Sequence, residues 1–301
     1  MDSQTPLFSI VIPSYNYAHY LPDTINSVLQ QPGDDYELIV INDGSKDNTD
    51  EVAHSLLSET NNRFRYYYQE NKGLPGTRNR GIELAKGRYL FFLDSDDRLT
   101  PDALSFLRKA VQQYRNASMI IGRYNSVRPD GRSKPRCLWS LKEDREENFK
   151  QYLLDTSVSL LCSAVLFRRD IFNSYQFPTH IRQCEDEPVF AFAFANTEVA
   201  KIDDIVSNIQ KHDDSLRNQV FLNLSDKLIK EIFNKEMLPA HLMKYETPYR
   251  GIRYLDQFRT LYLAGEYEKA WHQFLEALPY NKTAALKPNF LRKAIKSWLK
   301  K

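Results

Sequence analysis

The chain has 301 residues, of which 42% are hydrophobic and 13% aromatic, enough to bury one large α/β domain and an appendage. A net charge of +2 and an isoelectric point near 8.2 give no electrostatic case for nucleic acid, so none is expected as a partner. Cys137, Cys162 and Cys184 are odd in number and form no CxxC pair, which argues against a disulfide scaffold or a zinc site and predicts reduced thiols of a cytoplasmic protein. The acidic start and the lack of a bilayer-length apolar run predict neither secretion nor membrane spanning.

In chain order, Phe8 to Pro13 is β-branched and apolar, Ser14 to Tyr17 supplies turn formers, and Ile25, Val28 and Leu29 mark a helix. Tyr36 to Ile41 repeats the plan, ending in Asn42-Asp43-Gly44-Ser45, with a helix carrying Val52, Ala53, Leu56 and Leu57 inward. Phe64 to Gln69 is a third strand. Leu74 to Lys86 reads as a helix with Gly87 as its left-handed cap. Strands and helices alternating at these lengths predict a doubly wound, mostly parallel sheet with right-handed crossovers.

The fourth strand, Tyr89 to Leu93, is apolar throughout and runs into Asp94-Ser95-Asp96-Asp97. Sheets of this kind bind ligands beyond the carboxyl ends of their strands, so the acids stand where a ligand would. Asp94 and Asp96, two apart, converge in extended chain and repel unless one is protonated or a cation lies between them; Mg²⁺ or Mn²⁺ would suit such oxygen ligands. An acidic turn before a helix capped by Thr100, with Pro101 first and Asp102 on the dipole, explains the stretch equally well.

A helix from Pro101 to about Tyr114 and a strand at Ser118 to Gly122 follow. Residues 128–150 read as a hairpin turn and a solvated, mobile segment, with loops between 123 and 184 carrying specificity. Val158 to Phe167 is a buried apolar segment, and Cys184-Glu185-Asp186-Glu187 sets acids against the aromatic run around Phe190 and Phe192. From about residue 218 the chain turns helical: Ser225 caps a helix, residues 263–278 resemble one tetratricopeptide-type hairpin, and a single such unit should pack on the main domain. At the end, Leu291, Ala294, Ile295, Trp298 and Leu299 share a helical face among basic residues, so 287–301 is read either as resting on an anionic membrane surface or as docked on the core.

With these pieces in order, the chain resembles the glycosyltransferases of family 2, inverting enzymes of the GT-A fold in bacterial cell-surface polysaccharide synthesis. The resemblance covers about residues 7–217 and rests on six ordered motifs. It implies a nucleotide-binding half at about 1–115, an acceptor-binding half at about 116–217 and a helical region at 218–301. Pro13, Ser14, Tyr15 and Asn16 would line the base pocket, Asp43 would bond the pyrimidine, and Arg78 of Asn71-Lys72-Gly73-Leu74-Pro75-Gly76-Thr77-Arg78-Asn79 would lie near the nucleotide. Asp94-Ser95-Asp96 matches the family's DxD, giving Asp94 and Ser95 to the nucleotide and Asp96 to the metal. His212 of His212-Asp213-Asp214-Ser215 would complete the metal site, with Mn²⁺ or Mg²⁺ as cofactor. Asp186 would be the catalytic base, with Asp97 and Glu185 in support and Glu187 a solvated acid. Pro75-Gly76 stands where Ser-Ala is commoner, and Pro188 follows close behind the base.

The implied activity is metal-dependent transfer of a hexosyl or N-acetylhexosaminyl unit from a nucleotide-sugar, a UDP-sugar by family habit, to a hydroxyl of a glycan or lipid-linked saccharide. The enzyme would work in the cytoplasm, peripheral to the inner face of the cell membrane. Two rivals remain at this point: a non-catalytic nucleotide or cation binder on the same fold, and a nucleotidyltransferase, which would want a Gly-rich phosphate loop where Pro13-Ser14-Tyr15-Asn16 stands.

Overall fold

The computed structural model describes residues 5–212 and 224–301. Its first half is β1 (Phe8–Ser14), α1 (Leu21–Leu29), β2 (Tyr36–Asn42), α2 (Thr49–Glu59), β3 (Arg65–Tyr68), α3 (Gly73–Leu84) and β4 (Tyr89–Phe92). β3, β2, β1 and β4 lie side by side, all parallel, with Phe8 opposite both Tyr36 and Tyr89. Every residue of β1 and β4 is buried, as their unbroken apolar runs require of strands covered on both faces.

The second half is β5 (Arg98–Leu99), α4 (Ala103–Gln113), β6 (Met119–Val127), β7 (Ser133–Arg136), α5 (Arg145–Leu154), β8 (Val165–Arg168), α6 (Glu187–Asn196) and β9 (Val199–Gln210). It continues the sheet as β4-β8-β6-β9-β5, with β7 hairpinned onto β6. The parallel rule ends at β4: β8 enters antiparallel between β4 and β6, while β9 runs parallel to β6 and antiparallel to β5. The result is a mixed α/β sheet, parallel through the half that carries the first three motifs.

Several local expectations are corrected. Gly87 is not a helix cap: α3 ends at Leu84, Ala85 is extended, and Gly87 lies outside the left-handed glycines. Its N–H donates to Ser9 Oγ at 2.8 Å, and a Cβ there would stand 2.6 Å from the backbone of Phe8 and Ser9. Thr100 does not cap α4; Arg98 and Leu99 join β9, so the Thr100 hydroxyl is drawn to the carbonyl of Ile205 at 2.6 Å and the helix begins at Ala103. Within the solvated stretch, residues 145–154 form a helix that the sequence reading did not name, capped by Asp144, which accepts from the Glu147 N–H at 2.8 Å. In the stretch from Val158, burial begins only at Cys162. β9 had no counterpart in the sequence reading, because Asp203-Asp204 breaks its alternation; the register slips beside it, where Gly122 of β6 leaves room for Val206.

The C-terminal region consists of α7 (Leu224–Ile232), α8 (Glu246–Leu263), α9 (Tyr267–Ala277), α10 (Lys282–Ala285) and α11 (Pro288–Lys300). α8 and α9 form a helical hairpin turned by Gly265 at φ +80°, and the buried residues of both continue the core of the sheet domain. Ser225 is inside α7, not its cap, and donates to the Arg253 carbonyl at 3.2 Å. The boundary near 217 falls outside the described residues. α11 docks through Phe290, whose ring lies 6.2 Å from that of Phe258, and through the buried Ala294 and Ser297, while Leu291, Ile295, Trp298 and Leu299 face outward. Among the described residues no helix is long and apolar enough to cross a membrane.

Because Gly87 meets backbone rather than a yielding side chain, Gly87→Ala should cost about 1–3 kcal/mol of stability, read as a lower urea midpoint with an unchanged slope.

Candidate active site

The motif residues gather at the carboxyl ends of β1, β2 and β4. The end of β1 is held to β2 by the Asp43 N–H donating to the Ser14 carbonyl at 2.8 Å. Asn16, left-handed at φ +59°, accepts from the Lys46 N–H through Oδ1 at 2.7 Å, so Pro13 to Asn16 and Asn42 to Ser45 form one rim. Asp43 is buried; its Oδ1 accepts from Gln69 Nε2 at 2.7 Å and from the Lys72 N–H at 2.8 Å. Gln69 thus belongs to the rim, though nothing local in the sequence marks it.

The acidic turn follows β4. Asp97 N–H donates to the Asp94 carbonyl at 3.0 Å, the Asp94 N–H donates to Ser163 Oγ at 3.1 Å, and the buried Ser95 carbonyl takes the Thr24 hydroxyl at 2.8 Å. Asp97 is buried as well, and the N–H of Gln210 donates to its Oδ1 at 3.1 Å. That bond pins the end of β9 against the turn and delivers His212 two residues later. His212 Nε2 stands 2.6 Å from Asp96 Oδ2, with the rings of Tyr17 and Tyr20 packed at 5.7 and 5.0 Å from the imidazole. Burial, with Asp94 and against the pull of His212, raises the Asp96 carboxyl above its ordinary range; burial, Asp96 and Asp94 push Asp97 higher still. The rest of that motif, Asp213 to Ser215, lies outside the described residues.

A carboxylate oxygen and an imidazole nitrogen brought together in this way are the donor types that suit a divalent ion of the Mn²⁺ or Mg²⁺ kind. Among the described residues no group of three or more His, Cys, Asp or Glu is placed to hold a metal ion.

Arg78 connects this acidic turn to the other acid pair. Its side chain is 2% exposed, with Nη2 on Asp94 Oδ1 at 2.8 Å, Nη1 on Glu185 Oε1, and the Phe177 ring 5.4 Å away. Cys184, left-handed at φ +57°, makes the sharp turn before Glu185. Asp186 then sits at the N-cap of α6 without a capping bond of its own. Burial first, then the Glu185 carboxylate, and against Arg78, pushes the Asp186 carboxyl up to about 8. Glu187, expected to be solvated, is not: it accepts from Tyr249 Oη at 2.8 Å and Arg253 Nη1 at 3.0 Å, both on α8.

This mixed sheet, parallel from β3 to β4 and antiparallel where β8 joins it, is the fold of the GT-A glycosyltransferases. The chain belongs to glycosyl transferase family 2, whose profile matches residues 9–175. Among relatives, it is 26% identical over 284 residues to glycosyltransferase GlyG of Streptococcus pneumoniae serotype 4, covering 91% of this chain and 92% of that one. In fold it is similar to residues 1–349 of Staphylococcus aureus TarS, solved with UDP, at TM-score 0.65 and 17% identity over 97% of this chain and 88% of that one. TarS has also been solved with UDP-GlcNAc. It is similar too to the mannosyltransferase PcManGT of Pyrobaculum calidifontis, solved with GDP-Man and Mn²⁺, at TM-score 0.57 and 15% identity over 99% and 86% of the two chains.

Removing the shared guanidinium while keeping its bulk leaves two acids unpaired, one of them buried. Arg78→Met should therefore cost about 3–5 kcal/mol, seen as a large drop in the guanidinium chloride midpoint at neutral pH that shrinks at acid pH as the carboxyls protonate.

Proposed function

We propose that this chain is a metal-dependent, inverting glycosyltransferase. It moves a hexosyl or N-acetylhexosaminyl unit from a nucleotide-sugar, with UDP-sugars the first candidates, to a hydroxyl on a glycan or lipid-linked saccharide in surface polysaccharide synthesis. The observation that carries the reading is the Arg78 bridge: a donor-side acid, Asp94, and the acid pair at 185 and 186 lie within reach of one guanidinium. Donor and acceptor chemistry can then meet in one cleft. The UDP and UDP-GlcNAc complexes of TarS and the GDP-Man and Mn²⁺ complex of PcManGT support a nucleotide-sugar and a metal by likeness of fold.

Each residue has a part. Pro13 to Asn16 line the nucleobase pocket, and Asp43, fixed by Gln69 and Lys72, bonds the base. Asp94 and Ser95 serve the ribose end, with Arg78 holding the Asp94 carboxylate in place. Asp96 and His212 would hold the divalent ion, which supplies charge stabilisation to the departing diphosphate. Asp97 keeps β9, and so His212, at the turn. Asp186 takes the proton of the acceptor hydroxyl as that oxygen attacks the anomeric carbon from the face opposite the leaving group.

Two sets of acids should fail differently. Asp186→Asn should lower turnover about 10²- to 10⁴-fold with donor affinity nearly unchanged, whereas Asp96→Asn should weaken donor binding in Mn²⁺ together with turnover. A calorimetric screen of nucleoside diphosphates and their sugars, with Mn²⁺ and with chelator, identifies the donor, and NMR of the product should read an inverted anomer. Since only the ionised Asp186 accepts a proton, kcat should fall as the pH drops below about 8. A retained anomer or an active Asp186→Asn enzyme would refute the assignment.

We assign the outward face of α11 to an anionic membrane surface at the inner face of the cell membrane, near a lipid-linked acceptor. Leu291, Ile295, Trp298 and Leu299 are exposed along one side of the helix, with Arg292, Lys296 and Lys300 also exposed beside them. Ile295→Glu with Trp298→Glu should abolish flotation with phosphatidylglycerol vesicles; flotation equal to that of the unaltered chain would remove the membrane role.

A further inference from the structure

The C-terminal helices reach the acid pair directly. Glu187 follows Asp186 at the first turn of α6, and both its oxygens are taken by α8: Oε2 by Tyr249 Oη at 2.8 Å and Oε1 by Arg253 Nη1 at 3.0 Å. Arg253 is itself anchored, since its carbonyl accepts the Ser225 hydroxyl of α7 at 3.2 Å. Tyr249 is buried, and its ring packs 5.7 Å from Phe233. One helix of the C-terminal region, α8, therefore grips the first turn of α6 next to Asp186, and α7 braces α8 behind it.

We infer that Arg253, through Glu187, is a positioning residue for Asp186, so that the C-terminal helical region completes the catalytic apparatus instead of merely covering the core. The inference rests on the assignment of Asp186 as base. Arg253 touches no reacting atom; it fixes the first turn of α6 and neutralises the Glu187 carboxylate next to the base. Both effects bear on proton transfer, one through position and one through charge. A base displaced by about 1 Å loses on the order of 10²-fold in rate. An uncompensated carboxylate one residue away disfavours the ionised base.

The charges around the pair fix the sign. Asp186 is faced by Glu185 and Glu187 on its own segment, Arg78 from α3, Asp94 from the end of β4, Cys162 from the turn before β8 and Tyr152 from α5. Glu187 is faced by Tyr249 and Arg253 from α8, by Tyr152 and by Cys184, and Arg253 in turn by Asp256. Burial and Glu185 raise the Asp186 carboxyl, and Glu187 adds to the rise. Deleting the Arg253 charge leaves Glu187 unscreened and lifts Asp186 further; deleting the Glu187 charge lowers it.

The test reads the Asp186 carboxyl by ¹³C NMR in the full chain with labelled aspartate, its signal identified by its loss in Asp186→Asn. Arg253→Met should move the titration to higher pH and cut kcat tenfold or more, with donor KM within twofold, read as nucleoside diphosphate released from the donor found by calorimetry. Arg253→Lys should restore most of both. Glu187→Gln should move the titration to lower pH, the opposite direction. Arg108→Met, which breaks the Arg108–Asp35 pair elsewhere in the fold, should lower Tm and move neither reading. A titration unmoved in Arg253→Met and Glu187→Gln, with Asp186→Asn inactive, overturns the role of Arg253 and leaves the base standing. If Arg253→Met does not fold, Glu187→Gln decides, and an unmoved titration there overturns the inference. An active Asp186→Asn removes the base assignment, and the inference with it.

Discussion

A guanidinium buried to 2% exposure needs anionic partners on more than one side, and Arg78 finds them at Asp94 and Glu185. That need constrains the molecule. Asp94 is delivered by β4 of the parallel half, Glu185 by the turn into α6 of the mixed half, and Arg78 by α3 between them. Neither half alone could bury the charge: without Glu185 the arginine would have one acid for two amino groups, and without Arg78 the acids would repel in a site of low polarity. The ion triad acts less as a source of stability than as a register mark, fixing how the sheet's second half meets its first.

The sheet reverses at the same place. β4 is parallel to β1 on one side and antiparallel to β8 on the other, so the acids leave the sheet where strand direction changes. Strand order also reverses between β1 and β4, since β2 and β3 lie on the other side of β1, and a crevice forms outside the carboxyl ends of the strands at such a reversal. The fold thus provides a crevice, and the polar side chains around it decide what the crevice can do.

The parallel half was legible because its strands are β-branched and aromatic runs ended by turn formers, most clearly in β4, which is apolar and buried throughout. Past β4 the signal weakened. Asp203-Asp204 hid β9, and the low apolar content of residues 145–154 hid α5 behind a correct cap in Asp144 and Glu147. The residues of the site were named from the sequence through motifs at strand ends, and the structure brings Asp94, Asp96, His212, Glu185 and Arg78 into direct contact or within one link of it. Tyr17, Tyr20, Gln69, Phe177, Tyr249 and Arg253 were not assigned to the site, because contact between distant elements leaves no local spacing to read. Glu187 was misjudged for the same reason: its partners lie more than sixty positions downstream. Sequence also could not tell which side of the last helix docks, since small residues such as Ala294 and Ser297 permit closer approach than the larger apolar ones beside them.

The pairing of β6 with β9 sets the order in which the molecule can be assembled. Met119 lies opposite Val199 in parallel register, so the closure spans the whole of β7, α5, β8 and α6. Contacts so far apart in sequence cost chain entropy before they return any stability, while β1 to β4 close over short crossovers. A chain leaving the ribosome has the ends of β1, β2 and β4, with the acidic turn, available early. His212 and the residues that grip α6 emerge last. The half built from β1 to β4 can therefore close before β9 brings His212 to the acidic turn.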